Sequence, residues 1–332
     1  RYNCDFFQAV MQVVRGIPTQ ADEPAVLTIG NFDGVHRGHQ ALLKLLTDKA
    51  RAMGLSAVVL TFEPHPREYF APADAPARLA SLREKLLLLD ASGVNRVHVC
   101  RFDSAFAAQP AQSFIDDNLV RGLDVRHLFI GDDFCFGARR QGNFAMLQEA
   151  GRKHGFGVES MPTLSVEGER VSSSAVRDAL AEGDLDHAAR LLGRAYSIAG
   201  RVIHGDKLGR QLGFPTANVQ LKHRNPALSG VFAVSVEGLG AQRVGGVANI
   251  GVRPTATAIP RPRLEVHLFD WQQECYGAHL RVHFLHKLRN ERKFESLDAL
   301  KTQIRHDADA ARAWLAENSH PTPPQHPNGR EG

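Results

Sequence analysis

The 332-residue chain is expected to be an α/β protein in two parts. A doubly wound parallel sheet comes first, followed by a small antiparallel β-barrel with a C-terminal helix. Two patterns carry this expectation. Up to about residue 183, short apolar strands alternate with leucine- and alanine-rich helical stretches, the arrangement that builds a parallel sheet covered on both faces. Beyond about residue 193, short strands follow one another between glycine, proline and polar turns, which suits a small barrel. No flexible linker marks the change, and the expected units are 11–187 and 188–318. Residues 319–332 are proline-rich and polar, a composition that predicts disorder.

An apolar content of 43% and a charged content of 23% are those of an ordinary globular protein. The net charge of +4 is not gathered into a basic run, so it suits anionic substrates without pointing to nucleic acid. Cys4, Cys100, Cys135 and Cys275 lie far apart and form no C-x-x-C, which fits a reducing, cytoplasmic setting better than a disulfide framework or a zinc cluster. No apolar run reaches the roughly 18 residues of a membrane span. Residues 1–10 lack the order of a signal peptide, and the better-patterned stretch opening at Met11 is where the natural start is expected.

In the first half, residues 25–29 (AVLTI) read as a buried strand. Gly30 and Gly34 then permit a tight turn, and leucines at helical spacing follow from Arg37. Such a turn aims unpaired N–H groups at one spot, where the helix dipole favours an anion. His36 and His39, three apart, share one face of that first turn, above the anion. Two surface histidines at a helix start remain the plain alternative, and zinc lacks the third and fourth ligands it needs. A second strand at 56–62 leads into Glu63-Pro64-His65-Pro66, where two prolines predict an extended loop to Phe70. A leucine-rich helix is expected over 78–90, with strands at 94–100 and 125–130. The turns after Ile29, Phe62 and Ile130 all fall at the carboxyl ends of strands, where parallel sheets bind ligands. The third turn, 131–143, has acidic, amide and arginine groups for a nucleotide, or is a solvated loop. Ser172, Ser173 and Ser174 stand before a helix with Arg177 one turn in, either as N-caps or as a phosphate clamp.

In the second half, strands are expected at 195–203, 230–236, 243–250, 264–269 and 279–286. The stretch GDKLGRQLGFPTAN (205–218) is not a Walker A loop. Gly205, Gly209 and Gly213 still permit a backbone that wraps phosphates, unless it is only a structural turn. Thr216 and Asn218 flank Ala217, so an extended strand aims both at one face, as two oxygen ligands suited to Mg²⁺. In LEVHLF (264–269), alternation sets Glu265 and His267 opposite the apolar positions. A carboxylate there suits the base of a phosphoryl transfer, or is simply an exposed edge-strand glutamate. A helix over 296–317 with Leu297, Leu300, Ile304 and Trp314 as its apolar residues is expected to cap the barrel.

The motifs GNFDGVHRGH (30–39), TFEPHP (61–66), GDDFCFG (131–137) and SSSAVR (172–177) resemble, in order, the FMN adenylyltransferase module of bacterial FAD synthetases, a doubly wound nucleotidylyltransferase domain. The 205–218 and 264–269 stretches, with GVANIGVRPT (246–255) and LRNERKF (288–294), resemble the riboflavin kinase module. Together they resemble the bifunctional riboflavin kinase/FAD synthetase family. This implies that ATP phosphorylates riboflavin to FMN, and that a second ATP adenylylates FMN to FAD. It also implies Mg²⁺ as cofactor, small-molecule partners (riboflavin, FMN and ATP), and neither a nucleic-acid nor a membrane partner. The roles implied for the first module are charge stabilisation by His36 and His39, and ATP or phosphate binding by Gly30, Asn31, Phe32, Asp33, Gly34, Ser172, Ser173, Ser174 and Arg177. FMN binding falls to Phe62, Pro64, Pro66 and Asp133. In the second module the resemblance makes Glu265 the catalytic base, and Gly205, Lys207, Gly209, Gly213, Pro215, Thr216 and Asn218 the ATP site. Thr216 and Asn218 there hold the metal, and Thr255, Arg289 and Glu291 bind flavin. Ser174 stands where the family usually has threonine, and Cys135 where relatives often carry a basic residue. Two other readings are a nucleotidylyltransferase of a different substrate and an inactive flavin-binding regulator.

Overall fold

The computed structural model describes residues 11–131, 133–161, 163–205, 213–221, 225–253 and 261–318. The expectations for Lys207, Gly209, Thr255, the natural start and the 319–332 tail lie outside the described residues, wholly or in part. The chain divides into two compact units. One holds the described residues of Arg1–Ala179 with His187–Arg194; the other holds Leu180–Asp186 and the described residues of Ala195–Gly332.

In the first unit β1 (Gln12–Arg15), β2 (Ala25–Ile29), β3 (Ser56–Glu63), β4 (Arg96–Arg101), β5 (Val125–Gly131) and β6 (Gly157–Met161) form one sheet in the order β1-β4-β3-β2-β5-β6. Every neighbouring pair is parallel. All five residues of β2 are buried, as a central strand covered on both faces requires. On one face Val26, Ala57 and Val59 meet Leu42, Leu43 and Leu46 of α1 (Arg37–Met53) and Leu89 of α3 (Leu82–Ala91). On the other, Leu27, Val58 and Leu60 meet a π-helical stretch (Phe114–Gly122) and α6 (Phe144–His154). From β2 the sheet grows through β3 and β4 on one side and through β5 and β6 on the other. The order therefore reverses between β2 and β5, the position at which open parallel sheets bind ligands.

The shorter elements of this unit are α2 (Pro66–Phe70), α4 (Ser104–Ala108), α5 (Ala111–Ser113) and a β7–β8 hairpin (Ser165–Val166, Glu169–Arg170). Residues 66–70 are a helical turn, where an extended loop was expected. Pro66 sits at the start of α2, where its missing N–H costs nothing, and His65 with Glu68 closes a reciprocal capping box. α3 starts later than the expected residue 78, because Ser81 caps it and Glu84 returns the cap. Two helices follow, α7 (Ser173–Glu182) and α8 (Leu185–Leu192), and the expected division after residue 187 falls within α8.

The second unit is a closed antiparallel barrel, β10-β13-β12-β11-β14-β9. Its strands are β9 (Ser197–Ile203), β10 (Ala217–Val219), β11 (Gly230–Glu237), β12 (Val244–Arg253), β13 (Arg261–Leu268) and β14 (His279–Arg289). The short β10 closes the ring by pairing with both β9 and β13. Phe232, Ala248, Ile250, Leu264, Val266 and Phe284 are buried almost completely, and a fully buried phenylalanine contributes roughly 1.5–3 kcal/mol. β11 is apolar at successive positions because its other face is covered too. Val231 and Ala233, with Val247 and Phe269, lie under Ala308 and Ala311 of α9 (Leu297–Glu317). Of the apolar residues expected on this helix, Trp314 packs against this cluster and Leu297 is exposed, while two alanines let α9 approach the wall of the barrel.

Candidate active sites

The turn between β2 and α1 is strained and heavily braced. Phe32 (φ 49°) and Val35 (φ 41°) adopt positive φ although neither is glycine, and both are buried. A β-branched residue there is costly, on the order of 1–3 kcal/mol, and persists only if its surroundings enforce it. Gly34 (φ 77°) faces Leu79 so closely that a Cβ would come within 2.9 Å of that side chain. The bracing comes from afar. Leu79 N and Ala80 N donate to Asp33 Oδ1 (3.1 and 3.2 Å), and Arg177 Nη2 donates to Asp33 Oδ2 at 2.5 Å. Arg194 donates to Gly34 O (2.6 Å) and Val35 O (3.1 Å), and Gln40 Nε2 to Val35 O (2.8 Å).

The turn carries His36 and His39 with their rings stacked, centroids 3.7 Å apart and 17° from parallel. His36 is the N-cap of α1: its Nδ1 accepts from His39 N at 3.3 Å. Burial pushes its pKa down to about 4; Asp33 opposes this, while Arg177 and Arg194 reinforce it. Burial, then His36 and Lys85, holds His39 well below the ordinary histidine range. Both rings are neutral at pH 7. Since Nδ1 of His36 accepts, its proton sits on Nε2, which is left as a donor. Among the described residues no group of three or more His, Cys, Asp or Glu side chains is placed to hold a metal.

The groups assigned to phosphate divide. Gly30, Asn31, Phe32 and Gly34 form the turn, and Asp33 is spent bracing it. Ser172 Oγ accepts from Ala175 N at 3.1 Å, the N-cap reading, and Ser173 Oγ donates to Asp33 O at 3.0 Å. Ser174 lies in the first turn of α7. Arg177 also donates to Ala77 O at 2.6 Å, so without a ligand it ties the turn to the segment before α3. On the flavin side, Phe62 packs against Phe102 and Phe106, and Tyr69 and Phe70 extend this aromatic group at the ends of β3 and β4. Phe70 is 67% exposed. Pro64 and Pro66 flank His65 on the connection from β3 into α2. Arg78 fastens that connection, donating to Glu63 Oε2 and Oε1 (2.8 and 2.6 Å) and to Glu68. Asp133 is exposed and paired to Arg170 at 3.5 Å. Thr28 Oγ1, Asn31 Oδ1 and His39 Nδ1 are buried without a hydrogen-bond partner among the described residues.

Sequence reasoning missed Arg78, Lys85 and Arg194. The signal for Arg78 was the pair of acidic residues in the proline loop, five apart and needing a cation. Arg194 is separated from the turn by 160 residues, and no local pattern marks it.

In the barrel the register sets Asn218 opposite Glu265, and Glu265 opposite Asn249, giving a polar row across β10, β13 and β12. Ala248 and Ile250 point inward on either side of Asn249, so the row lies on the outer face. Glu291 joins it, accepting from Asn249 Nδ2 at 3.5 Å. Burial alternates from half-buried Thr216 through buried Ala217 to half-buried Asn218. Pro215 O lies 2.9 Å from His267 Nδ1, and Gly213 opens the segment that leads into β10. At Gly205 a Cβ would come within 2.3 Å of the Asn218 amide, so only glycine leaves that cradle open. Amide and hydroxyl oxygens beside an open cradle fit Mg²⁺, a cation that keeps most of its shell for water and phosphate. Arg289, assigned to flavin, is instead committed to α9: its guanidinium donates three bonds of 2.7–3.0 Å to the buried Asp307. Asn249 was missed as a candidate because an asparagine within an apolar strand shows no partner until the register is known.

The FAD synthetase family model matches residues 18–175, and the riboflavin kinase model matches 192–315. The bifunctional riboflavin kinase/FMN adenylyltransferase of Escherichia coli K12 is 52% identical over 308 residues, 92% of this chain and 98% of that protein. The Pseudomonas fluorescens protein of the same name is 51% identical, covering 93% of this chain and 100% of the relative. That of Haemophilus influenzae is 49% identical, covering 92% and 99%. The crystal structure of a Streptococcus pneumoniae protein named for macrolide efflux superposes with a TM-score of 0.78 at 29% identity, covering 92% of this chain and 100% of that one. No helix among the described residues is long and apolar enough to cross a membrane. With each compact unit matched to one model and more than nine-tenths of the chain shared with these relatives, the chain belongs to the bifunctional riboflavin kinase/FMN adenylyltransferase family.

Proposed function

We propose that this chain converts riboflavin to FMN in its second module, 188–318, and FMN to FAD in its first, 11–187. The observation that carries this is the pairing, in one chain, of stacked neutral histidines over a strained turn with a barrel row centred on Glu265.

In the barrel, Glu265 accepts the proton of the riboflavin 5′-hydroxyl as that oxygen attacks the γ-phosphorus of ATP, and ADP leaves. Asn218 and Thr216 would hold Mg²⁺, which when bound would neutralise charge on the phosphates. Asn249 and Glu291 border the base and orient the sugar-like chain. Bonded to Asp307, Arg289 acts on flavin only through the position of α9.

In the first module an oxygen of the FMN phosphate attacks the α-phosphorus of a second ATP, and pyrophosphate leaves. The phosphate is itself the nucleophile, so the histidines need not move a proton. As neutral imidazoles they donate N–H bonds to oxygens that gain charge, a contribution that costs little reorganisation. Ser173 and Arg177 exchange contacts with the turn for contacts with the phosphates, Ser172 and Ser174 add hydroxyls from the start of α7, and the aromatic group around Phe62 takes the flavin ring. The dispersed cysteines fit a cytoplasmic setting: Cys100, Cys135 and Cys275 are free, and burial pushes the Cys100 thiol up to about 12.

The test is a time course of flavins formed from riboflavin, ATP and Mg²⁺. FMN is expected first and FAD after it. His39→Ala is expected to slow FAD formation by about 10²–10³-fold with FMN formation near normal, and Glu265→Ala to do the reverse. Equal loss of both reactions in either variant would refute the division of labour, and flavin binding without ATP consumption would make the chain a regulator.

A further inference from the structure

The two carbonyls directly before His36, those of Gly34 and Val35, both accept from Arg194. Nη2 donates to Gly34 O at 2.6 Å and Nη1 to Val35 O at 3.1 Å. Nη1 also donates to Leu192 O at 3.2 Å. Gln40, in α1, repeats the pattern: its Nε2 donates to Val35 O and to Leu192 O, at 2.8 Å each. Val35 O and Leu192 O thus each accept from both side chains, and the four groups close a square. A carbonyl oxygen has two lone pairs and an amide nitrogen two hydrogens, so three corners of the square are filled to capacity. The end of α8 brings Arg194 to this place. Gly193 (φ 73°) closes that helix, with its N–H returning to Ala189 O at 2.8 Å, and Arg194 follows directly.

The square holds the peptides that are least comfortable. Val35 is β-branched and sits at φ 41°. Strain of this kind persists only where the surroundings over-determine it. A peptide is planar and trans, so pinning Val35 O also fixes the N–H of His36 on the opposite side. The ring of His36 caps α1 and stacks on His39, so a shift of these peptides carries both imidazoles with it. The guanidinium also disfavours charge on His36, acting with Arg177 and with burial, the largest cause, against Asp33. We propose that Arg194 is a positioning residue for adenylyl transfer: through the carbonyls of Gly34 and Val35 it sets His36, and with it His39, against the phosphates without touching substrate. This role rests on adenylyl transfer being the reaction of the first unit.

The test uses the full chain carrying Arg194→Met, Arg194→Lys, His36→Asn, and each Arg194 substitution combined with His36→Asn. FAD formation is followed at varied FMN and varied ATP, with riboflavin phosphorylation as an internal control. Misplacing a catalytic group by about 1 Å can cost about 10²-fold, and Arg194→Met is expected to lower kcat by about that factor. KM for FMN and KM for ATP are expected to stay within about threefold of wild type. Arg194→Lys keeps the charge but not the planar fork that spans two carbonyls, and it is expected to fall as far. Because Arg194 acts through His36, the combined variants are expected to be no slower than His36→Asn alone; losses that multiply would overturn the role. So would FAD formation within about threefold of wild type in Arg194→Met, or a loss carried by either KM. A parallel fall in riboflavin phosphorylation would mark a general loss of structure and would overturn it too. If Arg194→Met does not fold, Arg194→Lys decides by the same readings. Wild-type protein that makes no FAD would instead remove the adenylyl-transfer reading itself.

Discussion

His36 caps α1 with the same ring that is proposed to serve the phosphates, and both tasks need the imidazole uncharged at Nδ1. Its folded pKa, about 4, lies below the ordinary 6.5 because burial penalises the charged form. Between those values the unfolded chain binds the extra proton and the folded chain does not, so stability rises with pH across that window. His36 therefore contributes fully above about pH 6.5, and its contribution is lost as pH falls towards 4, on the order of 2–3 kcal/mol in all. Asparagine caps helices well and does not titrate. His36→Asn is expected to flatten the fall in melting temperature of the first unit between pH 6.5 and 4, and to impair FAD formation. An unchanged acid profile would show that His36 is not the titrating group. The spacing of His36 and His39 could be read from the chain, but their neutrality could not, because burial is a property of the packed turn. Lys85 was hidden for the same reason: in a leucine-rich stretch a lysine reads as the solvated face.

Among elements, the connection from β3 into α2 shows how an expected loop became a fixed one. Two prolines argued for extension, yet Pro66 occupies the one helical position that suits it, and His65 and Glu68 close the cap. Arg78 then binds Glu63 at the end of β3 and Glu68 in α2. Burial opposes its charge, but the two carboxylates outweigh burial and hold the guanidinium protonated beyond its ordinary range. Removing a partly buried cation from two carboxylates costs roughly 1–3 kcal/mol. Arg78→Ala is expected to lower the stability of the first unit by that amount and to raise KM for FMN more than KM for ATP. Equal KM values in variant and wild type would mean that the clamp does not shape the flavin side. α9 illustrates the limit of periodicity: of the expected apolar residues Trp314 packs on the barrel, but Ala308 and Ala311 are the ones buried against its wall, because close approach over β11 and β12 favours small residues.

In the whole molecule, each candidate site lies within one compact unit, the histidine turn in the first and the Asn218–Glu265–Asn249 row in the second. The product of one is the substrate of the other, so the sites can be supplied by different molecules. A mixture of His39→Ala and Glu265→Ala proteins is expected to make FAD from riboflavin after a lag in which free FMN accumulates. Failure of the mixture, with each variant active in its remaining half-reaction, would show that FMN must stay on one chain.

The alternation of strands and helices, the later run of short strands and the motif turns were enough to specify a parallel sheet, a barrel and the strand ends where chemistry sits. These are local, because side-chain period and turn residues depend on neighbours in the chain. Tertiary structure alone decided which charges are satisfied. It assigned Asp33 to bracing, Arg289 to α9 and Arg194 to the carbonyls of a turn 160 residues away, and it buried Lys85 against Thr61. Pairing and burial depend on what the fold brings within a few ångströms, and separation along the chain carries no record of that distance.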